Sequence, residues 1–221
     1  MDIQRLSLAD QAFQAFRTLL SQGHIRAGQL ISMPELIAQT QLPMAPVREA
    51  VKKAEAIGLV EILPKRGVLV LEATSDAVES CFHLRYLFDQ EGARILASRS
   101  PTSSLHALRD VHEEVRQAAL VGITPALQRK AMDVDWQLHK TLANALGNPL
   151  AKRSYDDNVD RISIMQQSRP LLPDRIVPAM HEHLLIIDAI LEGTANEAML
   201  AVRRHFRQTL GWWGIVTESE P

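Results

Sequence analysis

The sequence predicts a mainly α-helical chain in two parts. An N-terminal winged helix-turn-helix, three helices plus a β-hairpin, is followed by an all-α bundle of about six helices. Three observations predict this. Up to residue 57 the apolar residues recur at the period of amphipathic helices. Two β-rich runs, LVEIL (59–63) and VLVL (68–71), then flank the turn-forming PKRG. After ATSD at 73–76 only helical periods remain, punctuated by Gly, Pro and capping residues. The expected organisation is a winged helix over 1–72, a linker at 73–75, a helical domain over 76–214 and a tail at 215–221.

The first helix, LSLADQAFQAFRTLLSQG, ends at Gly23 and opens with Ser7 and Asp10 at capping-box spacing. The second starts at SMPE, where Ser32 and Glu35 repeat that spacing and Pro34 occupies the tolerant first turn. It stops at QTQLP. The third, from about Ala45 to Ile57, puts Val47, Ala50, Val51, Ala54 and Ile57 on one face, and Gly58 ends it. The hairpin follows, with Gly67 at its tip.

The bundle helices are delimited by their own signals. One runs from a cap near Ser75 to Ser100-Pro101, and the next carries the stripe Leu105, Leu108, Val111, His112, Val115. A third begins at Thr124-Pro125, an N-cap followed by proline at the first helical position, and halts at GNP. A fourth spans roughly Leu150 to Gln167, and PLLPDRIVP reads as a proline-rich loop. HEHLLIIDAILEG forms the fifth. The sixth opens with Thr194 and Glu197 in a capping box and reaches Trp213.

Composition narrows the setting. Hydrophobic residues make up 46% and charged residues 23% of the 221, as in ordinary water-soluble domains. The lone cysteine, Cys81, leaves no internal disulfide, and a reducing cytoplasm is the expected location. MDIQRLSLADQAFQAF is interrupted by Asp2 and Asp10 and does not read as a signal peptide, and no apolar window approaches the ~18 residues of a membrane helix. Residues 1–72 carry eight Lys/Arg and seven Asp/Glu, so charge balance alone does not mark a nucleic-acid binder.

The placement of charge is more informative. Opposite its apolar face the third helix presents Ala45, Arg48, Glu49, Lys52 and Lys53, and the turn of the hairpin presents Lys65, Arg66 and Gly67. In a winged helix that helix enters the major groove and the wing lies along the backbone. Cations on these two surfaces would neutralise phosphates, and Arg48 could reach a guanine edge. A solvated helix face would carry the same pattern.

Seven of the eight histidines lie beyond residue 72. Asp135 and His139, in DWQLH, sit at i and i+4 on one helix face. His183 precedes Ile187 and Ile190, and His205 follows Ala198 and Ala201, so both lie on apolar sides of later helices. One carboxylate and three imidazoles suit a divalent transition metal, Zn²⁺ first, with Ni²⁺ or Mn²⁺ also served. Separately satisfied core histidines would produce the same spacing. His83, His106, His112 and His181 read as surface or supporting residues.

Together these residues identify a family. The stretch Gly23–Val70, through Ile25, Gly28, PVREA (46–50), GLV (58–60) and Arg66-Gly67, resembles the winged helix of the GntR superfamily of bacterial transcription regulators. The remainder is similar to the FCD effector domain of the FadR branch, through LRYLFD (84–89), DWQLH, Gly147-Asn148, Glu182-His183 and Arg203-x-His205. The resemblance implies a metal held by Asp135, His139, His183 and His205. It also implies a small carboxylate effector and a homodimer on palindromic operator DNA. Arg85 is the candidate partner of the effector carboxylate, with an i+4 pairing to Asp89 as the alternative. One departure stands out: Pro43-Met44-Ala45 replaces the family's usual Ser-Arg-Thr, removing a hydroxyl cap and a cation. The expected function is a ligand-responsive, DNA-binding repressor and not an enzyme. A metal-dependent hydrolase with an all-α metal core and a protein–protein adaptor built on the winged helix are the alternatives.

Overall fold

The computed structural model describes residues 6–99, 103–168 and 173–215. The chain forms two compact units, Met1–Ala77 with Val159–Pro170, and Val78–Asn158 with Leu171–Pro221.

The first unit holds α1 (Leu8–Ser21), β1 (Leu30–Ile31), α2 (Met33–Thr40), α3 (Met44–Ala56), β2 (Val60–Leu63) and β3 (Gly67–Val70). Local chemistry sets the helix ends. The Ser7 hydroxyl accepts from the Asp10 amide, and Ser32 and Glu35 close a full capping box at α2. Phe13, Phe16, Leu20, Leu36, Val47, Val51 and Val68 build one core, joined by Ile164 from the second half of α7 (Pro149–Ser168). Arg17 ties the same stretch of α7 to α1 through Asp160 at 2.6 Å.

The wing differs from a plain hairpin. β1 pairs antiparallel with β3, giving a three-stranded sheet of order β1-β3-β2. A two-residue strand is too short to display a period, so the sequence carried no sign of it. Gly67 is also not the tip. Lys65 takes the left-handed turn conformation (φ 61°), and Gly67 opens β3 at φ 128°, where an added Cβ would lie 2.5 Å from the Ile31 carbonyl oxygen. Glycine is needed there because β1 passes so close.

The second unit packs α4 (Ser75–Ala97), α5 (Ser103–Val121), α6 (Pro125–Ala145), the first half of α7, α8 (Pro173–Glu192) and α9 (Ala195–Trp212). Thr124 caps α6, Asn148 accepts from the first-turn amides of Leu150 and Ala151 in α7, and Thr194 and Glu197 form the capping box of α9. At α4 the cap is Thr74, whose hydroxyl accepts from the Ala77 amide; Ser75 is the first helical residue. The expected stop at Ser100-Pro101 lies outside the described residues.

Of the expected proline-rich loop, the part from Pro173 onward is helix, and residues 170–172 lie outside the described residues. α8 begins at Pro173, and Pro178 sits inside it. Proline is tolerated at the first position, as at Pro173, whereas Pro178 lies past the first turn and costs the helix one backbone hydrogen bond. Leu138, Leu142, Ile186, Ile187, Ile190 and Val202 form one apolar cluster, and Val115, Ala131, Val134, Ile176 and Met180 another. Among the described residues no helix is long and apolar enough to cross a membrane.

Candidate metal centre and nucleic-acid face

The second unit brings the three expected histidines together, with Asp135 beside two of them. α6 carries Asp135 and His139 one turn apart, α8 carries His183 and α9 carries His205, all buried. One ring nitrogen from each histidine lies within 4.8 Å of the others. Asp135 lies beside two of them: its Oδ2 is 3.9 Å from His139 Nε2 and its Oδ1 is 3.6 Å from His183 Nε2.

Two of the three imidazoles are held from behind. His139 Nδ1 lies 2.8 Å from Asp89 Oδ2, and His205 Nδ1 lies 2.8 Å from Glu182 Oε2. Glu182, held ionised, only accepts, so the proton of that contact sits on His205 Nδ1, and Asp89 in its ionised form would hold His139 Nδ1 in the same way. Glu182 is gripped in turn by both terminal nitrogens of Arg175, at 2.5 and 2.6 Å, and the Arg175 guanidinium lies 5.5 Å from the Trp212 ring centre.

Electrostatics favours the neutral form of His139 and His183. Burial is the main force holding His139 and His183 well below the ordinary histidine value, with the Arg85 charge and neighbouring histidines adding to it. Burial pushes Asp89 up to about 7, against the opposing pull of Arg85 and His205. Burial also works upward on Glu182, but the hydrogen bonds and charges of Arg175 and His205 together leave it lowered.

His139 Nε2 and both nitrogens of His183 are buried with no hydrogen-bond partner among the described residues. Leaving such atoms unpaired is costly. Three converging imidazole nitrogens, with a carboxylate beside two of them, form a donor set that a divalent transition metal fits.

Arg85 stands at the edge of this centre. Its Nε is 3.6 Å from Asp89 Oδ2, its Nη2 is 3.5 Å from His205 Nε2, and its guanidinium lies 4.8 Å from the Phe82 ring centre. The i+4 pairing with Asp89 is therefore formed, loosely, and the cation also reaches Nε2 of His205.

Sequence reasoning underrated two residues. His112 is fully buried, its Nδ1 bonds the Leu108 carbonyl oxygen at 2.7 Å, and its ring centre is 5.3 Å from that of His183. Its place in the stripe Leu105–Leu108–His112–Val115 already marked it as inward-facing. Tyr155 on α7 is also buried, with its hydroxyl unpaired among the described residues and pushed up by burial and then by the negative charge of Asp89. Nothing in its sequence context announces that. His83, His106 and His181 are exposed.

In the first unit, Ala45, Arg48 and Lys52 lie exposed along one side of α3, and Lys65 and Arg66 are exposed on the wing. Arg48, Lys52, Lys65 and Arg66 line one groove of about 430 Å³, bounded by α2, α3 and the β2–β3 hairpin. Lys53 points elsewhere. Its ammonium is 3.4 Å from Asp10 and 4.4 Å from the Phe13 ring centre, both on α1. Pro43 occupies the N-cap of α3 and supplies no side-chain hydrogen bond, and Met44 is exposed.

Known proteins share both halves. Residues 8–70 match the family described as bacterial regulatory proteins, gntR family, and residues 80–208 match the FCD domain. The Nta operon transcriptional regulator of Aminobacter aminovorans is 22% identical, with 85% of this chain and 87% of the relative covered. The repressor NanR of Cronobacter sakazakii is 22% identical over 99% of this chain and 90% of its own length. The repressor RspR of Escherichia coli is 24% identical over 83% and 79%. Among solved structures, a GntR regulator from Rhodococcus superposes with a TM-score of 0.76 at 17% identity, covering 96% of this chain and all of that one. McbR/YncC of E. coli gives 0.74 at 15% identity, covering 95% and 99%. The three relatives are transcription regulators, not enzymes. With a GntR winged helix followed in order by an FCD domain, this chain belongs to the GntR family of bacterial transcription regulators.

Proposed function

We propose that this regulator is a cytoplasmic, homodimeric repressor of a palindromic double-stranded operator, and that its FCD domain holds a divalent transition metal, Zn²⁺ first, beside the site of a small carboxylate effector. The convergence of His139, His183 and His205, with Asp135 beside the first two, carries the metal reading. The relatives named as repressors support the sign of regulation.

A bound metal would supply a Lewis-acidic positive charge within the bundle. Asp89 and Glu182 orient the rings of His139 and His205, and Arg175 keeps Glu182 ionised. Arg85 is the residue to grip an effector carboxylate, because a guanidinium can do so bidentately and because it already lies within reach of His205. On the winged helix, Arg48 would read a base edge or a phosphate, Lys52, Lys65 and Arg66 would neutralise phosphates, and Ala45 and Gly67 would permit close approach. Lys53, held by Asp10, would contribute less. An effector then shifts operator affinity only by its differential affinity for the two dimer arrangements.

Elemental analysis of the purified protein tests the metal: about one transition metal per chain is expected, and His183→Ala should lose it. No metal in the native protein would refute this part. A thermal-shift screen of small carboxylates against the metal-loaded protein should find stabilising ligands. Arg85→Gln should abolish that response while operator binding persists; a normal response would remove Arg85 from the site.

A further inference from the structure

The three imidazoles of the centre are not equally supported. His139 has Asp89 behind its Nδ1 and His205 has Glu182. His183 has no hydrogen-bond partner among the described residues at either nitrogen, while its Nε2 faces Asp135 Oδ1 at 3.6 Å. For Nε2 to offer its lone pair to a cation, the ring proton must sit on Nδ1. A buried Nδ1–H then needs an acceptor, or it carries the full desolvation penalty.

His112 is the acceptor at hand. Its Nδ1 lies 2.7 Å from the Leu108 carbonyl oxygen, which can only accept, so that nitrogen carries the His112 proton. Its Nε2 is left with a bare lone pair, buried and without a partner among the described residues. The ring centres of His112 and His183 are 5.3 Å apart and the planes meet at 67°, an edge-on approach. One ring has an N–H in need of an acceptor, and its neighbour has an acceptor in need of a donor.

We infer that His112 is the positioning residue of His183: its Nε2 accepts the Nδ1 proton of His183 when Nε2 of His183 holds the metal. The relay runs from the His183 Nδ1–H to His112 Nε2, and from the His112 Nδ1–H to the α5 backbone at Leu108. His112 has its Nδ1 bonded to the Leu108 carbonyl and lies behind His183, outside the trio whose ring nitrogens converge, so it acts through His183. It does with a neutral ring what Asp89 and Glu182 do with charge. That choice adds no further anion to a centre already facing Asp135, Asp89 and Glu182.

This inference rests on the metal reading, and its test separates the two. Long-range proton–nitrogen spectra of the full-length, metal-stripped protein read each histidine tautomer without any metal. His183 is expected as the Nδ1–H form. In His112→Phe, which keeps the ring bulk and removes the acceptor, His183 should lose that preference. Zn²⁺ affinity, measured by chelator competition, should then fall about 10–100-fold. His112→Gln, whose side-chain oxygen restores an acceptor, should recover most of the affinity, and this second variant decides the matter if the Phe variant fails to fold. An Nε2–H tautomer in the native protein, wild-type Zn²⁺ affinity in His112→Phe, or equal loss in the Phe and Gln variants would overturn the assignment. If the native protein binds no Zn²⁺, the metal reading falls, and the tautomer spectra still decide the role of His112.

Discussion

Asp89 Oδ2 on α4 lies 2.8 Å from His139 Nδ1 on α6, and one turn further along both helices Gly92 meets the Leu142 carbonyl, leaving no room for a Cβ. The hydrogen bond and the backbone approach are parts of one contact. The bond orients a candidate ligand, and the missing side chain lets α4 come close enough to make it.

Asp89→Asn should keep the shape of this contact and remove its charge. Metal affinity is expected to drop about 10–100-fold, as when a partner behind a ligating histidine is altered. Chelator competition measures it; an unchanged affinity would show that His139 is oriented by packing alone.

Gly92→Ala tests the approach of the helices. The added methyl group would strike the Leu142 backbone, so α4 has to shift, with a stability loss of about 1–3 kcal/mol from overpacking. Denaturant unfolding should show it, with weakened metal binding alongside. A variant as stable as the parent would mean that the helices slide without strain.

For the winged helix, Arg48→Ala should cost about 1–3 kcal/mol of operator affinity and relax specificity at one position, whereas Lys65→Ala or Arg66→Ala should weaken binding evenly and lower the salt slope by about 1. Shift assays over a range of salt concentrations distinguish the two. Equal behaviour of all three variants would mean that Arg48 contacts only phosphate.

Metal-stripped protein should lose stability as the pH falls below about 6.5. Burial depresses His112, His139 and His183 from 6.5, so on acidification the unfolded chain takes up protons there that the folded chain refuses. Asp89 opposes this. Its folded value of about 7 against an ordinary 3.8 gives stability that is lost as pH rises through about 7. Three imidazoles outweigh one carboxyl, so the thermal midpoint should fall from pH 6.5 to 5. A flat or rising midpoint would show that the rings take up protons without unfolding.

Much of this was legible in the chain itself, because it depends on residues a few positions apart. Ser32 with Glu35, Thr124 with Pro125 and Thr194 with Glu197 mark helix starts through hydrogen bonds that close within a single turn. Asp135 and His139 share a face because helical spacing puts them there, and apolar periodicity turned His183 and His205 inward. The tertiary structure alone decided what pairs across sequence distance. It added β1 to the wing, started α8 at Pro173, set Asp89 behind His139 and brought His112 against His183. Local sequence fixes which way a side chain faces, through backbone geometry and neighbouring hydrogen bonds. What it meets there depends on how closely the helices approach, and at Gly92 that distance is set by packing against Leu142, fifty residues along the chain.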